Sequence, residues 1–81
     1  MARPYKNTSQ HLELLAFGEA VRSIRLNKGI SQERLAELAG IDRSYMGGVE
    51  RGEHNIALIN MGRISNALDI PISRLMKISG L

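Results

Sequence analysis

The sequence contains no cysteine, no tryptophan and only three other aromatic residues, one phenylalanine and two tyrosines. Without cysteine the chain has no disulfide, no thiolate zinc site and no cysteine nucleophile. With so few rings, stacking platforms for single-stranded nucleic acid and aromatic ligand cages are disfavoured. Any nucleic acid that this protein binds is therefore expected to be a duplex.

Long apolar runs are also missing, because the longest are far shorter than the roughly 20 residues that span a bilayer. The polar residues 1–10 lack the apolar centre of a signal peptide. We therefore expect a cytoplasmic protein with no membrane partner. The chain has 81 residues. Its 11 Lys and Arg residues outnumber its 8 Asp and Glu residues, which gives a net charge of +3 at pH 7. This balance suits a polyanionic partner without establishing one.

Patterns typical of enzymes and metal sites are absent as well. The two histidines, His11 and His54, lie far apart and have no carboxylate cluster at ligand spacing. The chain has neither a glycine-rich phosphate loop nor a nucleophile motif. We therefore expect no catalytic activity, no metal and no cofactor.

What the sequence does contain is helical periodicity over a length that fits one domain. Residues 1–8 are polar and aperiodic, so they are expected to form a flexible tail or, alternatively, a basic arm that touches DNA through Arg3 and Lys6. The folded domain is expected over residues 9–81. A first helix, capped by Thr8 or Ser9, carries one apolar face formed by Leu14, Phe17, Val21 and Ile24.

Capping residues and apolar spacing predict four more helices. Ser31 is a natural cap for a second helix, and Asp42 for a third helix over residues 42–50. A fourth helix follows near Leu58, with Leu58 as one of its apolar positions, and Pro71 separates it from a short fifth helix. No segment alternates as a strand does, so the predicted fold is all-α and compact, with about five helices.

The segment over residues 32–51 meets the steric demands of two helices that cross steeply at a tight turn. Ala36 is small where the helices would come closest, and Gly40 occupies the turn, where a left-handed backbone is wanted. The outward face of the third helix carries Arg43, Ser44, Tyr45, Gly47 and Gly48. Its N-terminal end would project into a major groove.

The sequence SQERLAELAGIDRSYMGGVERG, residues 31–52, resembles the helix-turn-helix of lambda-repressor and Cro-like (Xre) DNA-binding domains. A looser resemblance extends from about Phe17 to Met76. Within that family, IDRSYMGGVERG is most similar to the recognition helix of controller proteins from restriction-modification systems. The resemblance implies a homodimeric transcriptional regulator that binds near-palindromic double-stranded DNA through the helix at residues 42–50.

The resemblance also implies roles for single residues at a DNA surface. Arg43 and Ser44 match positions that read bases, and an Arg bound to guanine O6 and N7 gives about 1–3 kcal/mol of discrimination. Tyr45 either contacts a phosphate or a thymine methyl, or lies over the helix surface. Gly47 and Gly48 depart from the family pattern, in which the second site often carries a base-reading side chain, so direct readout is expected only at the N-terminal end of the helix. We interpret the two glycines as making room for the backbone to approach the sugar-phosphate chain. The expected phosphate contacts are Gln32, which also braces the third helix, Arg51, His54 and Asn55.

Two further expectations concern the scaffold and the oligomeric state. Arg25 and Glu50 match a family salt bridge that links the first helix to the end of the third. The expected dimer interface consists of Ile59, Ile72, Leu75, Met76 and Ile78, although some of these side chains, Leu75 foremost, are expected to complete the monomer core. The rival interpretation is an antitoxin-type module that binds a partner protein and autoregulates its operon.

Overall fold

The computed structural model describes residues 11–81, and within them the chain forms five α-helices and no strand. They are α1 (Leu12–Asn27), α2 (Gln32–Ala39), α3 (Arg43–Glu50), α4 (Leu58–Ala67) and α5 (Ile72–Ser79). The all-α, five-helix prediction is confirmed. The expected tail at residues 1–8, with its possible basic arm, lies outside the described residues. So do Thr8 and Ser9, and His11 stands at the N-cap position of α1.

The helix boundaries around the central turn follow from local chemistry. The Ser31 hydroxyl accepts a hydrogen bond from the Arg34 N–H at 3.0 Å, which caps the start of α2. Gly40 ends α2 with φ 67°, a left-handed backbone that costs glycine no steric energy. The Asp42 carboxylate then accepts hydrogen bonds from the N–H groups at the start of α3. Only residues 40–42 separate the two helices, so the turn is tight.

The five helices pack around one core. Helix α1 packs on α3 and α5, α2 packs on α3 and α4, and α4 also packs on α5. Its buried hydrophobic residues are Phe17, Ala20, Val21, Leu35, Ala36, Ala39, Met46, Val49, Ile56, Ile64, Leu68 and Leu75. Leu35, Ala36 and Ala39 of α2 and Met46 and Val49 of α3 thus form the shared core of the two helices. No helix within residues 11–81 has the length and apolarity needed to cross a membrane.

Two apolar side chains show which sides of α4 and α5 the core covers. Leu58 is 69% exposed, because it is the first residue of α4 and points away from the core. Leu75 is fully buried, so it completes the monomer core, as expected foremost of the five apolar residues, and it is not part of an exposed dimer surface. An amphipathic pattern identifies the apolar face of a helix but not whether that face meets its own core or another chain.

A glycine in α1 sets how closely α1 approaches α3. A Cβ added at Gly18 would lie 2.7 Å from the carbonyl oxygen of Glu50 and closer still to that of Val49. Both atoms belong to the backbone of α3, so neither can turn aside. Only glycine permits this crossing, and it brings α1 against the end of α3.

We expect Gly18→Ala to lower the free energy of unfolding by about 1–3 kcal/mol, because overpacking exceeds the gain of about 1 kcal/mol in helix propensity. Thermal or urea unfolding measures the effect. Gly62→Ala in α4 is the matched control, since nothing lies within 4 Å of a Cβ added there. That variant should gain stability. Equal stabilisation of both variants would contradict the close crossing at Gly18.

Candidate nucleic-acid interface

The N-terminal end of α3 presents two polar side chains to solvent. Arg43 and Ser44 are exposed, whereas Tyr45 is half-buried against the core. Asp42 accepts hydrogen bonds from the backbone N–H of Ser44 at 3.0 Å and of Tyr45 at 3.4 Å, and also from the Ser44 hydroxyl. Arg43 is thus fixed at its backbone by a well-capped helix while its guanidinium stays accessible.

The capping contacts change the acidity of Asp42. The hydroxyl of Ser44, followed by the backbone N–H groups of Tyr45 and Ser44, holds the pKa of the Asp42 carboxyl below its ordinary value. A lowered pKa in the folded state means that the ionised form stabilises the fold. This contribution is fully present above the ordinary aspartate pKa, and it is lost as the pH falls through the lowered value.

We therefore expect acidification below the ordinary aspartate pKa to destabilise the wild type more than Asp42→Asn. Asparagine caps a helix about as well as aspartate but does not titrate. The free energy of unfolding of both proteins, measured from neutral pH into acid, tests this difference. Stability profiles that fall in parallel throughout this range would contradict the role of the Asp42 carboxylate.

A buried polar cluster of Arg25, Gln32 and Glu50 joins three helices behind the outward face of α3. The Arg25 Nε and Nη2 atoms donate to the Glu50 carboxylate at 2.7 and 3.0 Å, and Nη1 donates to the carbonyl of Ile30 at 2.9 Å. Gln32 Nε2 donates to Glu50 Oε1 at 3.0 Å. Arg25 and Glu50 are therefore paired as the resemblance implies, and Gln32 braces α3 through the same carboxylate.

The loop after α3 holds a second ion pair on the surface. Arg51 Nε and Nη2 donate to the Glu53 carboxylate at 2.9 and 3.1 Å, and both side chains are more than half exposed. This hydrogen bonding raises the pKa of the Arg51 guanidinium and lowers that of the Glu53 carboxyl. Arg51 is accessible to a phosphate, but a phosphate must compete with Glu53 for it.

Gly47 is covered by side chains rather than open to a ligand. A Cβ added there would lie 3.0 Å from Arg51 Nη1 and 3.2 Å from Gln32 Oε1. The space that a side chain would fill is thus bordered by two of the residues expected to bind phosphate. The expected approach of the Gly47 backbone to a sugar-phosphate chain would require these side chains to move.

Tyr45 and His54 form an aromatic stack, with ring centroids 4.6 Å apart and ring planes within 9°. Tyr45 thus lies over the helix surface in this state. The His54 ring also occupies the space beside Gly48, where an added Cβ would overlap it. In the free protein, therefore, the side chain of His54 and not a DNA backbone fills the space beside Gly48. Asn55, the next residue, is exposed beside the start of α1.

The apolar residues expected at a dimer interface, apart from Leu75, remain at least partly exposed. Ile59 is 72% exposed on α4, and Ile78 is 49% exposed on α5, which packs against α4. Ile72 and Met76 on α5 are half-buried. Within residues 11–81, no group of three or more His, Asp or Glu side chains is arranged to hold a metal ion.

Comparisons with known proteins place these features in a family. The helix-turn-helix family pattern matches residues 21–75. Control protein C.SmaI of Serratia marcescens is 42% identical over 69 residues, which cover 85% of this chain and 80% of that protein. Control protein C.BamHI of Bacillus amyloliquefaciens is 46% identical over 57 residues, which cover 69% of this chain and 70% of that protein.

A solved structure agrees with these relatives. The crystal structure of the restriction-modification controller protein C.AhdI from Aeromonas hydrophila matches with a TM-score of 0.78 and 49% identity, over 80% of this chain and 98% of that chain. The resemblance of residues 31–52 to Xre-type domains is therefore confirmed. With the capped turn, the buried inner face and the polar outer face of α3, these matches show that the chain belongs to the helix-turn-helix family of DNA-binding transcriptional regulators.

Proposed function

We propose that this protein is a controller-type regulator that binds a near-palindromic DNA operator as a homodimer and acts without a cofactor or catalytic step. The observation that carries the proposal is the exposed Arg43 at the capped start of α3, whose other end is anchored through Glu50. A helix held in this way presents its first side chains to a major groove in a fixed register. The control-protein relatives support the controller role.

Base readout is assigned to the exposed end of α3. The Arg43 guanidinium suits guanine O6 and N7, which accept two hydrogen bonds in the major groove. Ser44 and Tyr45 lie beside it as further readers. Because the hydroxyl of Ser44 donates to Asp42 in the free protein, it must rotate before it can donate to a base.

Phosphate contacts are assigned to the residues that flank α3. Gln32 at the start of α2 and the loop residues Arg51 and His54 lie beside Gly47 and Gly48 of α3, and Asn55 follows His54 in the loop. Contacts of this kind supply affinity without sequence preference, and they make binding fall steeply as salt rises.

The dimer is assigned to α4 and α5. Ile59 and Ile78 expose large apolar side chains, and Ile72 and Met76 on α5 are half-buried. Exposed apolar patches are typical of interfaces, and a small domain gains stability from a second subunit. A two-fold dimer would place the two α3 helices about 34 Å apart, one turn of the duplex.

Selection of bound duplex fragments from a genomic pool by the purified full-length chain tests the proposal. We expect enrichment of a near-palindrome whose half-sites lie one helical turn apart, and a position beside restriction-modification genes would support the controller role. Sedimentation of the protein with the selected duplex should give two chains per site. If no fragment is enriched above non-specific binding, sequence-specific DNA recognition is refuted and the result supports the antitoxin-type interpretation. Binding by a single chain would refute the dimer alone.

A further inference from the structure

We propose that His54 is a positioning residue for DNA recognition, which fixes the ring of Tyr45 so that the two rings meet the duplex as one rigid unit. Gly48 provides the space in which His54 sits. The inference rests on the proposed function and deepens it, because it gives His54 the role of positioning Tyr45 in place of the phosphate contact assigned to it there.

The backbone of the loop brings His54 back over α3. The N–H groups of Arg51, Gly52 and Glu53 donate to carbonyls in the last turn of the helix at 3.1, 3.0 and 2.9 Å. Gly52 has φ 75°, the left-handed conformation that lets the chain reverse at this point. His54 is the next residue. The hydrogen bonds from the loop to α3 therefore fix the position of the His54 backbone beside the helix.

The absence of a side chain at Gly48 lets the imidazole reach its partner. Tyr45 and Gly48 are three residues apart, so they share one face of α3. A Cβ at Gly48 would overlap His54 Nε2 and Cδ2 and would lie 3.2 Å from Cε1. With glycine there, the imidazole lies against the helix and parallel to the phenol ring, with centroids 4.6 Å apart.

The stack restricts Tyr45 on the side that the core leaves open. Part of Tyr45 packs against the hydrophobic core, and its ring borders a groove of about 300 Å³ lined also by Ile41, Asn60 and Arg63. A tyrosine at a helix surface can change rotamer at little cost, and ordering it on binding costs entropy. The His54 ring removes this freedom before DNA arrives. A pre-ordered ring loses less entropy on contact, so an operator that offers Tyr45 a favourable contact gains more affinity than a duplex that does not.

A positioning role and a simple phosphate contact predict different results. A phosphate ligand strengthens binding to every duplex and adds about one unit to the slope of log affinity against log salt. A positioning residue acts through Tyr45, so its loss reduces preference for the operator while the salt slope stays constant. It also needs the aromatic ring and not a positive charge.

The test compares His54→Ala, His54→Phe and His54→Lys with the wild type on the duplex selected by wild-type protein and on a scrambled duplex. We expect His54→Ala to lower the ratio of the two affinities about five- to tenfold, near the lower end of the cost of one mismatched base pair. His54→Phe should restore the ratio and His54→Lys should not. The salt slope should be the same for wild type, His54→Ala and His54→Phe. Circular dichroism and thermal unfolding confirm that each variant is folded.

Gly48→Ala provides an independent variant, because its methyl group takes the place of the ring. We expect it to lose operator preference as His54→Ala does, and the double variant should lose no more than either single one. Equal weakening on both duplexes with a reduced salt slope, or rescue by lysine but not phenylalanine, would overturn the positioning role. An unchanged preference in His54→Ala would overturn it as well. If the wild type selects no duplex, the proposed function fails first and this inference falls with it.

Discussion

Glu50→Ala is expected to lower the free energy of unfolding by about 3–5 kcal/mol, since it leaves the buried Arg25 guanidinium without its counter-charge. The side chains of Arg25 and Glu50 are only 9% and 2% exposed, so water cannot replace the lost partner. The Gln32 amide loses an acceptor at the same time. Urea or thermal unfolding measures the loss, which is a large fraction of the stability of a domain of this size.

The matched control is Glu53→Ala. Glu53 also forms a two-bonded pair with an arginine, Arg51, but its side chain is 54% exposed. Surface pairs contribute little to stability because water and salt screen them. We expect little change in unfolding for that variant. A Glu50→Ala protein of wild-type stability that had lost DNA affinity would show that Glu50 acts at the DNA surface and not in the scaffold.

Arg43→Ala is expected to remove sequence readout while leaving the fold intact. A two-bonded arginine-guanine contact gives about 1–3 kcal/mol of discrimination, and a homodimer would make it once in each half-site. Arg43 is exposed and takes part in no capping bond, so unfolding should be unchanged. In selection of duplex fragments at one fixed salt concentration, the variant should lose the preference for guanine at one position in each half-site.

Arg34→Ala controls for the loss of positive charge. Arg34 is exposed on α2 and pairs with Glu37 across one helical turn. The variant has the same net charge as Arg43→Ala, but we expect its selected motif to match that of the wild type. If both variants reduced the base preference to the same extent, or if neither did, the assignment of base readout to Arg43 would be wrong.

Local chemistry made much of this fold predictable. Ser31, Gly40 and Asp42 each act within a few residues, so their caps and turn can be predicted without knowledge of the tertiary structure. The inward positions Met46 and Val49 follow from helical spacing. The partnership of Arg25 with Glu50, 25 residues apart, came from family resemblance and not from any local pattern.

Contacts that depend on the packing of distant segments were not predictable from the sequence. Gly18 carries no local signal, because its requirement arises only where α1 meets the carbonyls that end α3. The stack of Tyr45 on His54 depends on how the loop reverses, and the empty space at Gly48 was assigned to DNA instead.

The buried polar cluster has a kinetic consequence. Arg25, Gln32 and Glu50 tie α1, α2 and α3 into one body, so a duplex meets a surface that is already assembled. Binding then requires no slow rearrangement of the recognition helix, and encounters with right and wrong sequences proceed at similar rates. Discrimination between duplexes is expressed in how long each complex survives. A cognate operator is therefore distinguished by its residence time and not by how often the protein reaches it.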